Sequence, residues 1–161
     1  MIFRQARPEE ILSLFEEGYK EWPKNRTFQQ YCMDNGKEDS YGTRYVLEVG
    51  GNIVSSLIVL DVKSFNGRNT YGFGSVLTPG EYAGNGYATQ LLKKCIELIS
   101  DTSPLFLYSD ITPSFYERLN FRILPDYLQK RLGKSVCMVL CEEDVWTEIL
   151  SSSIEQMPDY F

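Results

Sequence analysis

The alternation of apolar and polar positions predicts a mixed chain of helices and strands that begins with a strand and a helix. Residues 2–5 are predicted as a strand. Pro8 and the two acids after it open a helix, because proline and acidic side chains both favour a first helical turn. That helix ends before Pro23. Its apolar positions recur at helical spacing and predict a core-facing side: Ile11, Leu12, Phe15, Tyr19 and Trp22.

A second, shorter helix is predicted to open at Thr27. The Thr27 hydroxyl would cap the first turn, with Gln30 completing a capping box. Asn35 followed by Gly36 would end the helix, because both residues favour the conformation that terminates one.

Between residues 44 and 78 the pattern changes to that of strands. Two β-branched stretches, residues 45–49 and 53–60, flank Gly50-Gly51-Asn52, which predicts an antiparallel hairpin with positive φ in its turn. Asn66-Gly67 marks a second turn before a strand over residues 69–78. The two glycines of that strand, Gly72 and Gly74, predict a bulge or the close approach of a ligand.

The strongest helical pattern begins after the loop of residues 79–86, with apolar side chains on one face and Lys93, Lys94 and Glu97 off it. A strand (105–108), a short helix (112–119), two late strands (121–124 and 135–141) and an acidic amphipathic helix from Glu142 complete the chain. The pattern predicts an α/β (mixed α+β) fold, a mostly antiparallel sheet of six to seven strands with helices on both faces. We expect a single domain over residues 1–161, with a core of residues 2–141 and a helical tail of residues 142–161.

Composition excludes several kinds of chemistry and partner. The 161 residues, 43% of them hydrophobic and 24% charged, fit one globular domain. The chain has no histidine, which removes the commonest general base, the commonest metal ligand and every Ser-His or Cys-His nucleophile. With 16 basic and 22 acidic residues the net charge is −6, which disfavours nucleic acid and favours a cationic substrate such as an amine.

The chain carries no pattern of a membrane or secreted protein. Its apolar runs are shorter than the roughly 18 to 20 residues that span a bilayer, and no secretory signal opens it, so we expect a cytoplasmic protein without a membrane partner. The four cysteines lack CxxC spacing and are predicted to be reduced core thiols that hold no metal. In the tail, apolar side chains are predicted to be covered by a second subunit of a homodimer: Trp146, Ile149, Met157, Tyr160 and Phe161.

The loop over residues 77–89 points backbone N–H groups at one small volume. Gly84 and Gly86 join a strand to the strongest helix, an arrangement that binds anions such as a pyrophosphate. The same glycines also suit a tight turn without a ligand. A P-loop is excluded because no Gly-Lys-Ser/Thr follows, and a dinucleotide fingerprint is poor because no third glycine comes three positions after Gly86.

Two motifs resemble the signatures of the GNAT superfamily of N-acetyltransferases. Ala83-Gly84-Asn85-Gly86-Tyr87-Ala88 resembles the family's Arg/Gln-x-x-Gly-x-Gly/Ala at the start of its central helix. About twenty-five residues further on, Phe115-Tyr-Glu-Arg-Leu-Asn-Phe121 resembles Tyr-Glu-Lys-Leu-Gly-Phe. The likeness covers residues 2 to 141. Thr78-Pro-Gly-Glu-Tyr together with Leu107-Tyr-Ser-Asp-Ile is similar to a subgroup that includes fungal lysine N6-acetyltransferases.

The resemblance implies direct transfer of an acetyl group from acetyl-CoA to a primary amine of a small molecule or of a lysine, without a metal. Tyr116 has the position of the tyrosine that protonates the departing sulfur. Ser109 has the position of an asparagine that contacts the cofactor, although a helix cap explains it equally well. The backbone of Val76, Leu77 and Thr78 would hold the pantetheine arm, and the pyrophosphate would bind Gly84, Asn85, Gly86, Tyr87, Ala88 and Thr89.

Two departures from the family pattern affect these expectations. Ala83 replaces the usual Arg or Gln, so pyrophosphate binding would rest on backbone donors. A non-catalytic acyl-CoA-binding or sensing module is therefore an alternative, as is a domain that binds some other nucleotide. Asn120 replaces a glycine and is expected in the left-handed conformation that ends the short helix.

The sequence does not identify the general base or the residues of the acceptor pocket. Residues 69–78 contain no carboxylate, so ordered water, a backbone carbonyl or a more distant acid would accept the proton of the amine. The candidate acids are Glu48, Asp61, Glu81 and Asp110. The resemblance places the acceptor beside the first two helices, where it would be lined by Trp22, Tyr31, Tyr41 and Tyr45.

Overall fold

A computed structural model describes all 161 residues, with seven strands in one sheet of order β1-β2-β3-β4-β5-β7-β6. Strands β4 and β5 pair in parallel, whereas the β1–β2, β2–β3, β5–β7 and β6–β7 pairs are antiparallel. The predicted α/β fold with a mostly antiparallel sheet is confirmed. The strands are β1 Ile2–Gln5, β2 Gly42–Val49, β3 Asn52–Phe65, β4 Arg68–Leu77, β5 Leu105–Ser109, β6 Arg122–Ile123 and β7 Val136–Leu140, and the α-helices are α1 Ile11–Glu21, α2 Phe28–Glu38, α3 Tyr87–Glu97, α4 Ser114–Glu117 and α5 Glu143–Leu150.

The chain divides into two compact units. Unit 1 comprises Met1–Leu60 and Ser75–Leu98, and unit 2 comprises Asp61–Gly74 and Ile99–Phe161. Unit 1 therefore holds α1, α2, α3 and the loop before α3, while unit 2 holds α4, α5 and the late strands.

In unit 1, α1 presents Leu14, Phe15 and Gly18 to the core. Gly18 is required there, because a Cβ at this position would collide with the hydroxyl of Tyr31 on α2. The prediction for Leu12 was wrong: its side chain is 57% exposed, since the buried stripe runs through Leu14 instead.

The start of α2 follows the prediction and its end does not. The backbone N–H of Gln30 donates to the Thr27 hydroxyl at 3.1 Å, which confirms the cap. The Gln30 side chain donates to Asp34 instead, so no capping box forms. Buried Asn35 does not end the helix, because its amide donates to the carbonyl of Tyr31 at 2.9 Å and α2 continues to Glu38.

Both predicted hairpin turns are present. Gly50 and Gly51 have φ of 57° and 83° between β2 and β3, where Val49 pairs with Asn52. Asn66 and Gly67 have φ of 48° and 76° between β3 and β4. These values fit two-residue turns in which both residues have positive φ.

The four cysteines are free thiols, as predicted. Cys95 and Cys137 are buried, and burial raises the pKa of each thiol to about 12, which leaves them protonated and unreactive at neutral pH. None of the helices has the length and apolar character needed to cross a bilayer.

In unit 2 the tail packs on the unit's own core. Met157 is fully buried in a cluster that includes Phe106, Val139 and Ile149, and Trp146 and Phe161 pack against that cluster. The apolar tail side chains that suggested a partner subunit are thus largely used within the chain. The close approach predicted at Gly72 is real, but the ring of Phe161 makes it rather than a ligand.

We predict that Met157→Ala destabilises the protein by about 2 to 5 kcal/mol, because the substitution opens a cavity in a fully buried site. Urea denaturation measures this change in the free energy of unfolding. Met33→Ala is the matched control, since Met33 is 56% exposed, and it should change stability by less than about 0.5 kcal/mol. Equal effects of the two substitutions would contradict the packing of the tail.

Candidate active site

The end of β4 departs from regular strand geometry. The register of the β4–β5 pair ends at Phe73 opposite Leu107, and Ser75 has φ of 49°, which is unusual outside glycine. The irregular backbone of this strand therefore lies at Ser75, one residue after Gly74. Unusual backbone conformations of this kind concentrate at functional sites, where they redirect backbone groups.

Strand β3 fixes the residues that follow. The Ser55 hydroxyl donates to the carbonyl of Leu77 at 3.1 Å and lies 3.0 Å from the hydroxyl of Thr78. Of the three predicted pantetheine partners, Leu77 is buried, whereas Val76 and Thr78 are half-buried. Ser55 was missed from the sequence, because an isolated serine in a strand gives no signal of a cross-strand contact.

The loop before α3 has the backbone geometry expected of an anion cradle. Gly84 and Gly86 have φ of 80° and 75°, and no atom lies within 4 Å of a Cβ built at either position. Gly86 is the N-cap of α3, and no side chain caps the helix. The first backbone bond of the helix runs from the N–H of Gln90 to the carbonyl of Gly86, so the N–H groups of residues 87–89 have no backbone partner. Open space, free donors and the positive end of a helix dipole suit an anion.

Two features hold the cradle in place. The Asn85 amide donates to the carbonyls of Tyr82, at 2.9 Å, and Ala83, at 3.3 Å, so this side chain shapes the loop. Helix α3 is anchored by Leu91, Leu92 and Cys95, all fully buried. Ala83 is exposed and adds no donor of its own, so anion binding here depends on the backbone.

In unit 2, α4 places Tyr116 in an apolar environment with its hydroxyl free. Its side chain is 7% exposed, and its ring contacts Phe115 and Phe121 at centroid distances of 5.0 and 6.0 Å. Burial, with a smaller contribution from the charge of Asp110, raises the pKa of Tyr116 to about 12. Asn120 has φ of 69°, as predicted for the residue that ends this turn.

Ser109, the other predicted contact in this unit, has local hydrogen bonds. Its hydroxyl donates to the carbonyl of Ile111 at 2.8 Å and accepts from the N–H of Ile111 at 3.3 Å. These bonds fit a side chain that shapes the turn after β5. Ser109 is not the cap of a helix, because the N-cap of α4 is Pro113.

The candidate general bases are not equivalent. Glu48 accepts two hydrogen bonds from Arg4, at 2.7 and 3.0 Å, and is neutralised by that guanidinium. Asp61, Glu81 and Asp110 are exposed. Arg4 also binds Glu10 at 2.7 and 2.9 Å, which lowers the pKa of Glu10 to about 2 and fixes the start of α1.

Two of the aromatic residues predicted to line an acceptor pocket pack against other rings of unit 1. Tyr31 is 3% exposed, with its ring against Phe15, and Tyr45 stacks on Phe3 at 5.4 Å. Tyr41 is 41% exposed.

Unit 1 contains instead a cavity of about 320 Å³ between α1 and the paired ends of β3 and β4, a feature that sequence reasoning missed. Its only sequence signal was the spacing by four of Glu9, Ser13 and Glu17, which places them on one helical face. The cavity is lined by Glu9, Glu10, Ser13, Leu14, Glu17, Gly51, Asn52, Ile53, Ser55, Ser56, Leu77 and Pro79.

Solved structures support the fold. The chain resembles an aminoglycoside 6'-N-acetyltransferase solved with coenzyme A (12% identity, TM-score 0.68, 87% of this chain and 96% of that one). It also resembles a GNAT family acetyltransferase from Brucella melitensis solved with acetyl-CoA (17% identity, TM-score 0.59, 87% and 86%). A probable N-acyltransferase from Enterococcus faecalis V583 matches over 75% of this chain but only 32% of that one (16% identity, TM-score 0.62).

At these identities the structural likeness shows the fold alone. A search of curated proteins finds no match. The family model of the acetyltransferase (GNAT) family matches residues 8–121, more than half of the chain, and this range includes both the glycine cradle and Tyr116. The chain therefore belongs to the acetyltransferase (GNAT) family and is an acetyl-CoA-dependent N-acetyltransferase.

Proposed function

We propose that the protein transfers the acetyl group of acetyl-CoA directly to a primary amine of a small molecule or of a lysine, with Tyr116 as the general acid. The observation that carries this proposal is the start of α3, where free N–H groups face open space beside Gly84 and Gly86. A pyrophosphate is the anion that such a cradle fits. The same range of the family model holds Tyr116, a buried phenol whose hydroxyl has no partner.

Backbone groups do most of the binding in this scheme. The N–H groups of Tyr87, Ala88 and Thr89 would bind the pyrophosphate, and the backbone of Val76 and Thr78, past the irregularity at Ser75, would hold the pantetheine arm. When bound, acetyl-CoA supplies the thioester carbonyl that the amine attacks. Because Ala83 offers no side-chain donor, we expect the affinity to depend strongly on the geometry of the two glycines.

Tyr116 would supply the proton that the departing sulfur takes up. A pKa of about 12 keeps the phenol protonated at every physiological pH, so the proton is always present. The same pKa makes Tyr116 a weaker acid than an ordinary tyrosine. The hydroxyl is therefore expected to donate its proton as the carbon–sulfur bond breaks and the sulfur becomes basic, and not earlier.

No side chain stands out as the base that accepts the proton of the amine. The chain has no histidine, and Glu48 is held by Arg4. We propose that water carries this proton to solvent, which requires that the amine reach the site unprotonated.

The cradle is tested by a matched pair of substitutions at Gly86. Asparagine and aspartate have the same size and both tolerate positive φ, so Gly86→Asn and Gly86→Asp differ only in charge. We expect Gly86→Asp to bind coenzyme A at least tenfold more weakly than Gly86→Asn, because its carboxylate repels the pyrophosphate at the helix N-terminus. Isothermal titration calorimetry measures both affinities. Gly133→Asp, at an exposed glycine with φ of 82°, is the control and should bind normally.

Tyr116→Phe is expected to lower kcat by about 10²- to 10⁴-fold, the usual contribution of a general acid. The KM for acetyl-CoA should change little, because the ring and its packing remain. Tyr127→Phe removes the same atom from a tyrosine that is 57% exposed and bonds the carbonyl of Leu150, and should leave kcat unchanged. Full activity of Tyr116→Phe would contradict the proposed role of Tyr116 as the general acid.

The pKa of Tyr116 also predicts the pH dependence of turnover. The phenol is active when protonated, so its raised pKa moves the loss of activity from near pH 10 to near pH 12. Turnover at saturating substrates should show no decline attributable to Tyr116 between pH 8 and about pH 10.5. A decline with an apparent pKa near 10 that Tyr116→Phe abolishes would contradict the buried state of this hydroxyl. Binding of acetyl-CoA without turnover of any amine would instead favour the non-catalytic alternative.

A further inference from the structure

The cavity beside α1 carries negative charge and no lining cation. Glu9, Glu10 and Glu17 lie on its wall, and no Lys or Arg side chain is among the residues that line it. Glu10 is neutralised by Arg4. Glu9 makes no hydrogen bond or ion pair, and Glu17 pairs only with Lys20, an exposed partner on the same helix. An exposed ion pair of this kind is weak, so the carboxylate of Glu17 can bind another cation in place of Lys20.

An unpaired hydroxyl belongs to a buried residue in the wall of the same cavity. Ser56 on β3 is 7% exposed, lines the cavity, and has no hydrogen-bond partner for its hydroxyl in the protein. The hydroxyl oxygen is not fully enclosed, so it is open to a group that enters the cavity. A hydroxyl of this kind accepts a hydrogen bond from an N–H donor, which is the group that the carboxylates of Glu9 and Glu17 also favour.

The dimensions select a small, elongated ligand. A volume of about 320 Å³ lies at the lower end of the range for small-molecule sites. Glu9 and Glu17 are eight residues apart, which corresponds to about 12 Å along a helix. Leu77 and Pro79, which flank Thr78 at the end of β4, form part of the wall, so the cavity adjoins the strand end assigned to the pantetheine arm.

We propose that this cavity binds a second cationic group of the acceptor, so that the protein acetylates small di- or polyamines in preference to amines with a neutral or anionic tail. The assignment rests on the proposed function. Ser56 and one of the two carboxylates would bind the distal ammonium group, while the proximal amine reacts. The other carboxylate would add to the negative potential of the cavity without contacting the same ammonium group. An acceptor with a distal carboxylate would be repelled by the same groups.

The test compares three acceptors of equal chain length: a linear diamine, the corresponding amino alcohol and the corresponding amino acid. For the wild type, kcat/KM for the diamine should exceed that for the amino alcohol by about tenfold or more, mainly through KM, and the amino acid should be the poorest substrate. The double variant Glu9→Gln/Glu17→Gln should reduce the ratio of diamine to amino alcohol to about one. Ser56→Ala should lower the same ratio by a smaller factor.

Glu16→Gln is the matched control, because Glu16 is an exposed acid of α1 that does not line the cavity. It removes one negative charge, where the double variant removes two, and should keep the preference for the diamine. Equal turnover of diamine and amino alcohol by the wild type would overturn the assignment while leaving the proposed function intact. A double variant that raises the KM for acetyl-CoA and not the KM for the diamine would also overturn it, since the cavity would then serve the cofactor.

A binding experiment distinguishes failure of the cavity assignment from failure of the proposed function. Calorimetric titration of the unmodified protein with the diamine should show binding that the double variant loses and Glu16→Gln keeps. If no amine of the panel is acetylated, the proposed function fails and the assignment as an acceptor site fails with it, whatever the titration shows. If amines are acetylated but the titration is the same for the wild type and the double variant, only the cavity assignment fails.

Discussion

The three free N–H groups at the start of α3 are the interaction on which the candidate site depends. They remain free because Gly86 takes a left-handed conformation at the N-cap and no side chain closes the turn. The buried stripe of Leu91, Leu92 and Cys95 holds the helix in place, so the donors are aimed without the need for an anion to organise them. A hydrophobic core thus supports an electrostatic site. Because Ala83 has no cationic side chain, these donors would be the main source of affinity in the proposed function.

In unit 1, N–H donors that suit an anion and carboxylates that suit a cation both lie near the end of β4. The loop after β4 has free backbone donors that would suit an anion, whereas the cavity has the carboxylates of Glu9 and Glu17, which would suit a cation. Leu77 and its neighbours lie next to both, and Ser55 fixes them from β3. An anionic co-substrate and a cationic acceptor would therefore be sorted by charge before they react. In unit 2, Tyr116 adds a protonated group whose pKa is set by burial rather than by a charged partner.

The sequence predicted those parts of the fold that local physics determines. Turns with positive φ were found from their glycines and asparagines, Gly50-Gly51, Asn66-Gly67 and Asn120 among them, because few other residues tolerate that conformation. The cradle was predictable for the same reason. Features that depend on tertiary contacts were not predicted. Asn35 stays within α2, where it is buried and its carbonyl accepts a hydrogen bond from Arg44 of β2. The irregular backbone of β4 lies at Ser75, which no propensity marks. The cavity was not predicted because its walls come from three segments of the chain, residues 9–17, 51–56 and 77–79, which are far apart in the sequence.

The central claim is that backbone amides, and not side chains, bind the cofactor. It is tested most directly by titrating ¹⁵N-labelled protein with coenzyme A and following the amide resonances by NMR. The account predicts large, saturable shifts at the amides of residues 84–89, strongest at Tyr87, Ala88 and Thr89, with further shifts at Val76 and Thr78. Saturable binding that leaves these amides unperturbed would contradict it and would place the cofactor elsewhere on the protein.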